Sequence, residues 1–222
     1  MTFSIIFDMD GTLFQTDKIL ELSLEDTFNY LRSQNKWDAV TPIDQYREIM
    51  GVPLPVVWEA LLPNHSLEVR KQVDSYFLKR LIGNIRSGKG ALYPNAVEVL
   101  KFLKNNNFDI FIASNGLAEY LKAIVSQYGL DEWVTETFSI EQIETLDKAG
   151  LVNRILEKYA VTNAAVVGDR LSDFNAAREN GLISIGCSFD FARPDELARA
   201  DIVIRDLMEL KPILIQQNKQ PV

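Results

Sequence analysis

Asp8 and Asp10 stand two positions apart, directly after the apolar run Phe3-Ser4-Ile5-Ile6-Phe7. In extended backbone that spacing points both carboxylates the same way. Two like charges beside a buried strand repel and lose hydration unless a cation or hydrogen bonds compensate. An aspartate-rich turn, with Gly11 supplying backbone freedom, would also produce this pattern. The chemical reading is sharper: a carboxylate attacks phosphorus well once a divalent ion offsets its charge. A second acidic pair, Asp169 and Asp173, follows another apolar run, Ala164-Ala165-Val166-Val167. Four residues apart, these acids line one side of a turn entering a helix. Capping by Ser172 or Asp173 accounts for one of them but does not call for both. Magnesium accepts carboxylates and keeps several waters, so Asp8, Asp10 and Asp169 could assemble one site, with Asp173 in support.

Two weaker signals join these pairs. Ser114, with the amides around Asn115 and Gly116, is placed to cradle phosphate oxygens where a strand meets the next helix. An ordinary Ser-Asn-Gly turn has the same letters. Lys148, in Asp147-Lys148-Ala149-Gly150, reads alone as a surface lysine. Beside several carboxylates and a phosphate, one positive charge is what the balance requires.

The elements that must position these residues alternate. Apolar strand-like runs at 3–7, 108–113, 164–167, 182–185 and 202–204 are separated by helical patterns. Strands apolar on both faces imply a mainly parallel sheet covered on both sides. Residues 17–82 break the alternation. Ile19, Leu20, Leu24, Phe28 and Leu31 recur at helical spacing, prolines at 42, 53, 55 and 63 cut short helices, and a longer helix is expected from Ser66 to Leu81. Gly83-Asn84 marks its end, and Ser87-Gly88-Lys89-Gly90 reads as the return linker. The expected fold is α/β, a Rossmann-like three-layer core with a parallel sheet and an inserted all-helical cap. The core spans 1–15 plus 88–222 and the cap 16–87. Every candidate residue in the core follows a strand-like run, which puts the set along the edge where open parallel sheets bind ligands.

Composition narrows the partners. With 23 basic and 31 acidic residues the chain carries a net charge of -8, which argues against a nucleic-acid polymer or an anionic membrane. No membrane-spanning stretch or signal peptide is apparent, since Asp8 and Asp10 interrupt the first apolar run. One cysteine and one histidine nearly exclude a classical zinc site and fit a reducing, cytoplasmic compartment. No apolar stripe is left over for an interface, so a monomer is the default. Ser87-Gly88-Lys89-Gly90 lacks the longer glycine loop and Lys-Ser/Thr ending of a nucleotide phosphate loop.

Asp8-Met9-Asp10-Gly11-Thr12-Leu13-Phe14, Ser114-Asn115, Lys148 and Gly168-Asp169-Arg170-Leu171-Ser172-Asp173 together resemble the four ordered motifs of the haloacid dehalogenase superfamily. The first and last motifs are highly specific; the middle two gain meaning only in their company. The resemblance covers essentially the whole chain, including the small helical cap, and looks most like the phosphoglycolate phosphatase and nucleotidase-like members. It implies a magnesium-dependent phosphatase acting on a small phosphorylated metabolite. By the same resemblance Asp8 is the nucleophile. Asp10 is the general acid/base, and its backbone carbonyl binds Mg2+. Thr12 positions Asp10, Ser114 and Asn115 hold the phosphoryl group, and Lys148 balances charge. Asp169 ligates Mg2+, and Asp173 orders Lys148 or a metal-bound water. Asp10 also argues against dehalogenase chemistry, whose enzymes normally lack that second aspartate. Gln15-Thr16 after the first motif and Ala149 after Lys148 depart from many relatives, which loosens the subgroup but removes no reacting group. Substrate choice is expected in the cap and its hinges, with Phe14, Gln15, Asp17, Tyr46 and Arg47 as candidates. The alternatives are a sugar-phosphate mutase of the same superfamily and a non-catalytic metabolite-binding module. Phosphoglycolate, nucleotides, sugar phosphates and pyrophosphate all remain open as substrates.

Overall fold

The computed structural model describes residues 3–49, 54–145, 147–190 and 192–217. In chain order the elements begin with β1 (Ser4–Phe7), α1 (Thr16–Ser33), α2 (Ile43–Glu48), α3 (Leu54–Leu61) and α4 (Leu67–Arg86). They continue with α5 (Ala96–Asn105), β2 (Asp109–Ser114), α6 (Ala118–Tyr128), β3 (Glu136–Ser139), α7 (Lys148–Tyr159), β4 (Ala164–Gly168) and α8 (Leu171–Glu179). The last elements are β5 (Ile183–Cys187), α9 (Pro194–Leu197), β6 (Ile202–Ile204) and α10 (Leu210–Gln217). The chain divides into two units, Met1–Gln15 with Ala91–Val222, and Thr16–Gly90.

The first unit is built on a six-stranded sheet in the order β3-β2-β1-β4-β5-β6, and every pairing is parallel. Such a sheet is covered on both faces, so its central strands have no reason to alternate. All residues of β1 and β4 are buried, whereas the edge strands β3 and β6 carry half-buried or exposed positions. Below one face, Leu151, Val152 and Ile155 of α7 pack with Ile6, Phe111, Val166 and Ala177. Each large side chain buried there contributes about 2 kcal/mol. Phe7 lies level with Ile112 on one side and Val167 on the other. The residues that leave β1, β2 and β4 therefore emerge together, at the point where strand order reverses.

The strand β3 has no counterpart in the expectation from sequence. Its residues Glu-Thr-Phe-Ser are mostly polar, which an edge strand tolerates because one side faces water.

The second unit is all helical. Ile19, Leu24, Phe28 and Leu31 of α1, and Val73, Phe77, Leu81 and Ile85 of α4, are buried. Trp58 of α3 meets Phe77 edge-on at 5.3 Å, and its indole N–H donates to Asp74 Oδ1 at 2.7 Å. Ser66 caps α4 by accepting from the Val69 amide. That helix does not stop at Gly83-Asn84 as the sequence pattern suggests, but runs on to Arg86. The reason is tertiary: Asn84 is buried, and its amide donates to Ser23 Oγ and Asp26 Oδ2, each at 3.1 Å. Packing of this kind outweighs the poor helix propensity of a glycine and an asparagine. The turn falls instead at Gly88, with φ of +70°.

Candidate active site

Gly11 begins the construction. With φ of +75° it closes a loop in which Met9 O accepts from the Leu13 and Phe14 amides at 3.0 and 2.9 Å, while Gly11 N donates back to Phe14 O at 3.1 Å. A Cβ at Gly11 would lie 2.4 Å from Asp169 Oδ2. The glycine thus serves the turn and also lets the Asp169 carboxylate approach. Gly168 does the same for Asp173, since a Cβ there would lie 2.2 Å from Asp173 Cγ. Gly11 thus makes room after β1 for an acid that follows β4, and Gly168 makes room for the acid in the first turn of α8.

The result is a buried cluster. Carboxylate oxygens of Asp8, Asp169 and Asp173 all lie within 4.8 Å of one another. Lys148, buried at the start of α7, forms ion pairs with both Asp8 and Asp173. Asp173 Oδ2 also accepts from the Arg170 amide at 3.0 Å, which fixes the carboxylate at the first turn of α8. Asp147 caps α7 by accepting from the Gly150 amide at 2.8 Å, holding the helix end that carries Lys148.

The charges do not balance. Three carboxylates face one ammonium, leaving two negative charges when all are ionised. Burial pushes the Asp8 carboxyl well above the usual range, with Asp173, Asp169 and Asp10 adding to the rise and Lys148 opposing it. Burial, reinforced by Asp173, pushes Asp169 up to about 7. Burial disfavours the charge on Lys148, but Asp173 and Asp8 outweigh it and hold that pKa above its ordinary value. Among the described residues, Asp169 Oδ1 is buried with no hydrogen-bond partner, an arrangement that costs free energy unless something else meets it. A hard divalent cation satisfies both deficits, because it supplies two positive charges and takes carboxylate oxygens. Asp8 and Asp169 fit as its ligands; Asp173 is already engaged by Lys148 and the Arg170 amide.

A family profile for haloacid dehalogenase-like hydrolases matches residues 4–181. The chain belongs to that family. Among curated proteins, it is 21% identical over 216 residues to the pyrophosphatase PpaX of Listeria monocytogenes, covering 95% of each chain. It is 23% identical over 225 residues to a phosphoglycolate phosphatase of Vibrio vulnificus, again covering 95% of each. The crystal structure of a predicted phosphoglycolate phosphatase from Haemophilus somnus superposes with a TM-score of 0.82 at 19% identity, covering 96% of this chain and 98% of that one. At that identity the superposition speaks for the fold.

Within this hydrolase fold the expected site residues have unequal surroundings. Ser114, at the end of β2, is buried, and its Oγ accepts from the Gly116 amide at 3.0 Å. The Gly116 N–H is therefore engaged inside the turn, and the Ser114 hydroxyl keeps its own proton to donate. Asn115 is exposed. Thr12 is fully buried, with a hydroxyl that has no hydrogen-bond partner among the described residues. Gln15 donates from Nε2 to Leu92 O at 3.0 Å and from its amide to Ala91 O at 2.9 Å, joining the loop after β1 to the chain before α5. In the helical unit, Arg47 is exposed on α2 and pairs with Glu21 at 2.6 Å and Asp44 at 3.0 Å, so its charge is already met. Phe14 and Tyr46, expected near a substrate entrance, are core residues instead. Phe14 packs against Tyr128 at 5.7 Å between ring centroids.

One residue at this site escaped the sequence reading. Tyr120 of α6 is buried and donates its phenol hydrogen to Asp10 Oδ1. An aromatic residue on an amphipathic helix reads as core packing, and only the fold reveals the polar end.

Proposed function

We propose that the protein is a Mg2+-dependent phosphatase that hydrolyses a small phosphomonoester through an aspartyl phosphate on Asp8. The observation that carries this reading is the buried Asp8–Lys148–Asp173 bridge with Asp169 beside it. A purely structural role would not favour an acid cluster with excess negative charge, because unbalanced buried charge destabilises a fold. The names of its relatives, a pyrophosphatase and a phosphoglycolate phosphatase, support a small phosphorylated substrate.

In this mechanism Asp8 attacks phosphorus and the bond to the leaving oxygen breaks. Asp10 passes its proton to that oxygen, then takes a proton from the water that attacks the aspartyl phosphate, and inorganic phosphate leaves. Mg2+ on Asp8, Asp169 and the Asp10 carbonyl would neutralise the cluster and the phosphoryl oxygens when bound. Lys148, held from two sides, keeps one positive charge beside the nucleophile. Ser114 donates its hydroxyl proton to a phosphoryl oxygen. Asp173 positions Lys148. The lone cysteine, Cys187, is buried as a free thiol, in keeping with a cytoplasmic enzyme.

The test is phosphate release from phosphoglycolate, nucleoside monophosphates, sugar phosphates and pyrophosphate, with and without Mg2+. Asp8→Asn should lower it by more than about a thousandfold, as loss of a covalent nucleophile does. Normal turnover by folded D8N, or an isomeric sugar phosphate as sole product, would overturn the reading.

A further inference from the structure

We infer that Tyr120 is a positioning residue for Asp10, fixing which carboxyl oxygen carries the proton to the leaving group. The inference rests on the phosphatase reading above and adds a residue that lies outside the four motifs.

The geometry is specific. Tyr120 sits in the first turn of α6 and Asp10 in the loop after β1, 110 residues apart, and the phenol donates to Asp10 Oδ1. The ring is held firmly. A Cβ at Gly116 would lie 3.0 Å from Tyr120 Cδ1, so the missing side chain at Gly116 makes room for it. Gly116 is fixed in turn, its amide donating to Ser114 Oγ at 3.0 Å and its carbonyl accepting from Ser139 Oγ at 2.7 Å. The start of α6 is tied as well, with the Ala118 amide donating to Glu141 Oε2 at 2.6 Å. The turn that presents Ser114 therefore also carries the group that grips Asp10.

A carboxylic acid at Asp10 has two oxygens and one proton. With Oδ1 accepting from the phenol, the neutral acid bears its proton on Oδ2. Rotation about Cβ–Cγ would turn the protonated oxygen toward the phenol, which would then have to swing its own hydrogen away and accept, giving up the bond it donates to Asp10. In the first step the Oδ2 proton moves to the leaving oxygen as the P–O bond breaks, and the phenol keeps its own proton throughout. Tyr120 thus needs no contact with substrate. Its contribution is the orientation of the acid, and acid catalysis depends steeply on such geometry.

A role of this kind is visible in leaving groups. The parameter kcat/KM reports events up to phosphoryl transfer, before water attacks. Tyr120→Phe removes one oxygen from a buried ring and keeps its shape. It should lower kcat/KM for an alkyl phosphate by about 10- to 100-fold, part of the value of a general acid. For p-nitrophenyl phosphate, whose phenolate departs without a proton, the loss should stay within about threefold. Placed on Asp10→Asn, Y120F should cost nothing more with the alkyl phosphate, because Tyr120 acts through Asp10. Equal losses with both leaving groups, no loss with the alkyl ester, or an additive loss on D10N each overturn the inference. Circular dichroism and a cooperative thermal transition establish that the variants are folded, and a Y120F chain that does not fold assigns Tyr120 to stability instead. An inert wild type, or an active D8N, would overturn the phosphatase reading itself and is distinct from any of these results.

Discussion

Asp26 is half-buried in the helical unit and Asp169 is buried at the sheet edge, and their neighbours treat them in opposite ways. Burial works against the charge on Asp26, but Arg80 donates twice to Oδ2, at 3.0 and 2.7 Å, and Asn84 donates at 3.1 Å. These partners hold its pKa below the ordinary value. Lys89 completes the network by donating to Asn84 Oδ1 at 3.1 Å. Asp169 receives less. Burial and Asp173 raise its pKa, and one of its oxygens has no hydrogen-bond partner among the described residues. The helical unit thus satisfies its polar cluster from its own side chains, while the sheet edge leaves a deficit. A completed network is what stability requires, and a deficit of fixed sign is what a ligand of opposite sign requires.

Removing the cation from each cluster gives the largest contrast. Lys148→Met should lower phosphate release by more than about 100-fold, since it removes charge next to Asp8, the proposed nucleophile. It should also cost about 3–5 kcal/mol in urea denaturation at neutral pH, because two buried carboxylates lose their partner. Arg80→Met acts on a pair whose side chains are 41% and 25% exposed, and should cost at most about 1 kcal/mol. Similar losses for the two variants would erase the distinction.

Protons and Mg2+ separate the clusters next. Asp169 is raised in the folded chain from 3.8 to about 7, so the folded state holds its proton more tightly than the unfolded state. Its contribution to stability is full below the unfolded pKa and is lost as pH rises through the folded one. Asp8 shifts in the same direction. Metal-free protein should therefore lose thermal stability as pH climbs from about 4 to beyond about 7. Mg2+ should restore it, with a larger shift in Tm near pH 8 than near pH 5. Asp26 runs the other way: its contribution is present above the ordinary value of 3.8 and lost as pH falls through its depressed one. A Mg2+ shift in Tm that is the same at both pH values would contradict the deficit at the sheet edge.

The smallest effect concerns glycines. Gly83 lies inside α4, and a Cβ there would meet no atom of the described residues within 4 Å. Gly83→Ala should stabilise the protein by about 0.5–1 kcal/mol in thermal or urea unfolding. Gly168 has no such room, and a Cβ there would displace Asp173.

How much of this was legible depends on distance along the chain. Asp8 with Asp10, and Asp169 with Asp173, are close pairs following apolar runs, so their placement at strand ends could be read directly. The β1 and β4 strands were equally clear, because buried parallel strands are written as unbroken apolar letters. The strand β3 was missed since Glu136 and Thr137 look like loop. The continuation of α4 through Gly83-Asn84 was missed since Asn84 finds its partners on α1, 58 and 61 residues earlier.

By itself the sequence determined the alternating elements, the two acidic pairs and the insertion of a helical block, all carried by local spacing and residue type. Only the tertiary structure decided that Lys148 is buried between Asp8 and Asp173 and is not a surface lysine. It also showed that Arg47 is already paired, and that Tyr120 turns a core ring into a hydrogen bond on Asp10. The physical reason is common to all three. A charge or a hydroxyl takes its meaning from the groups within a few ångströms of it, and among these Glu21 lies 26 residues from Arg47, Asp10 110 from Tyr120 and Asp8 140 from Lys148 along the chain.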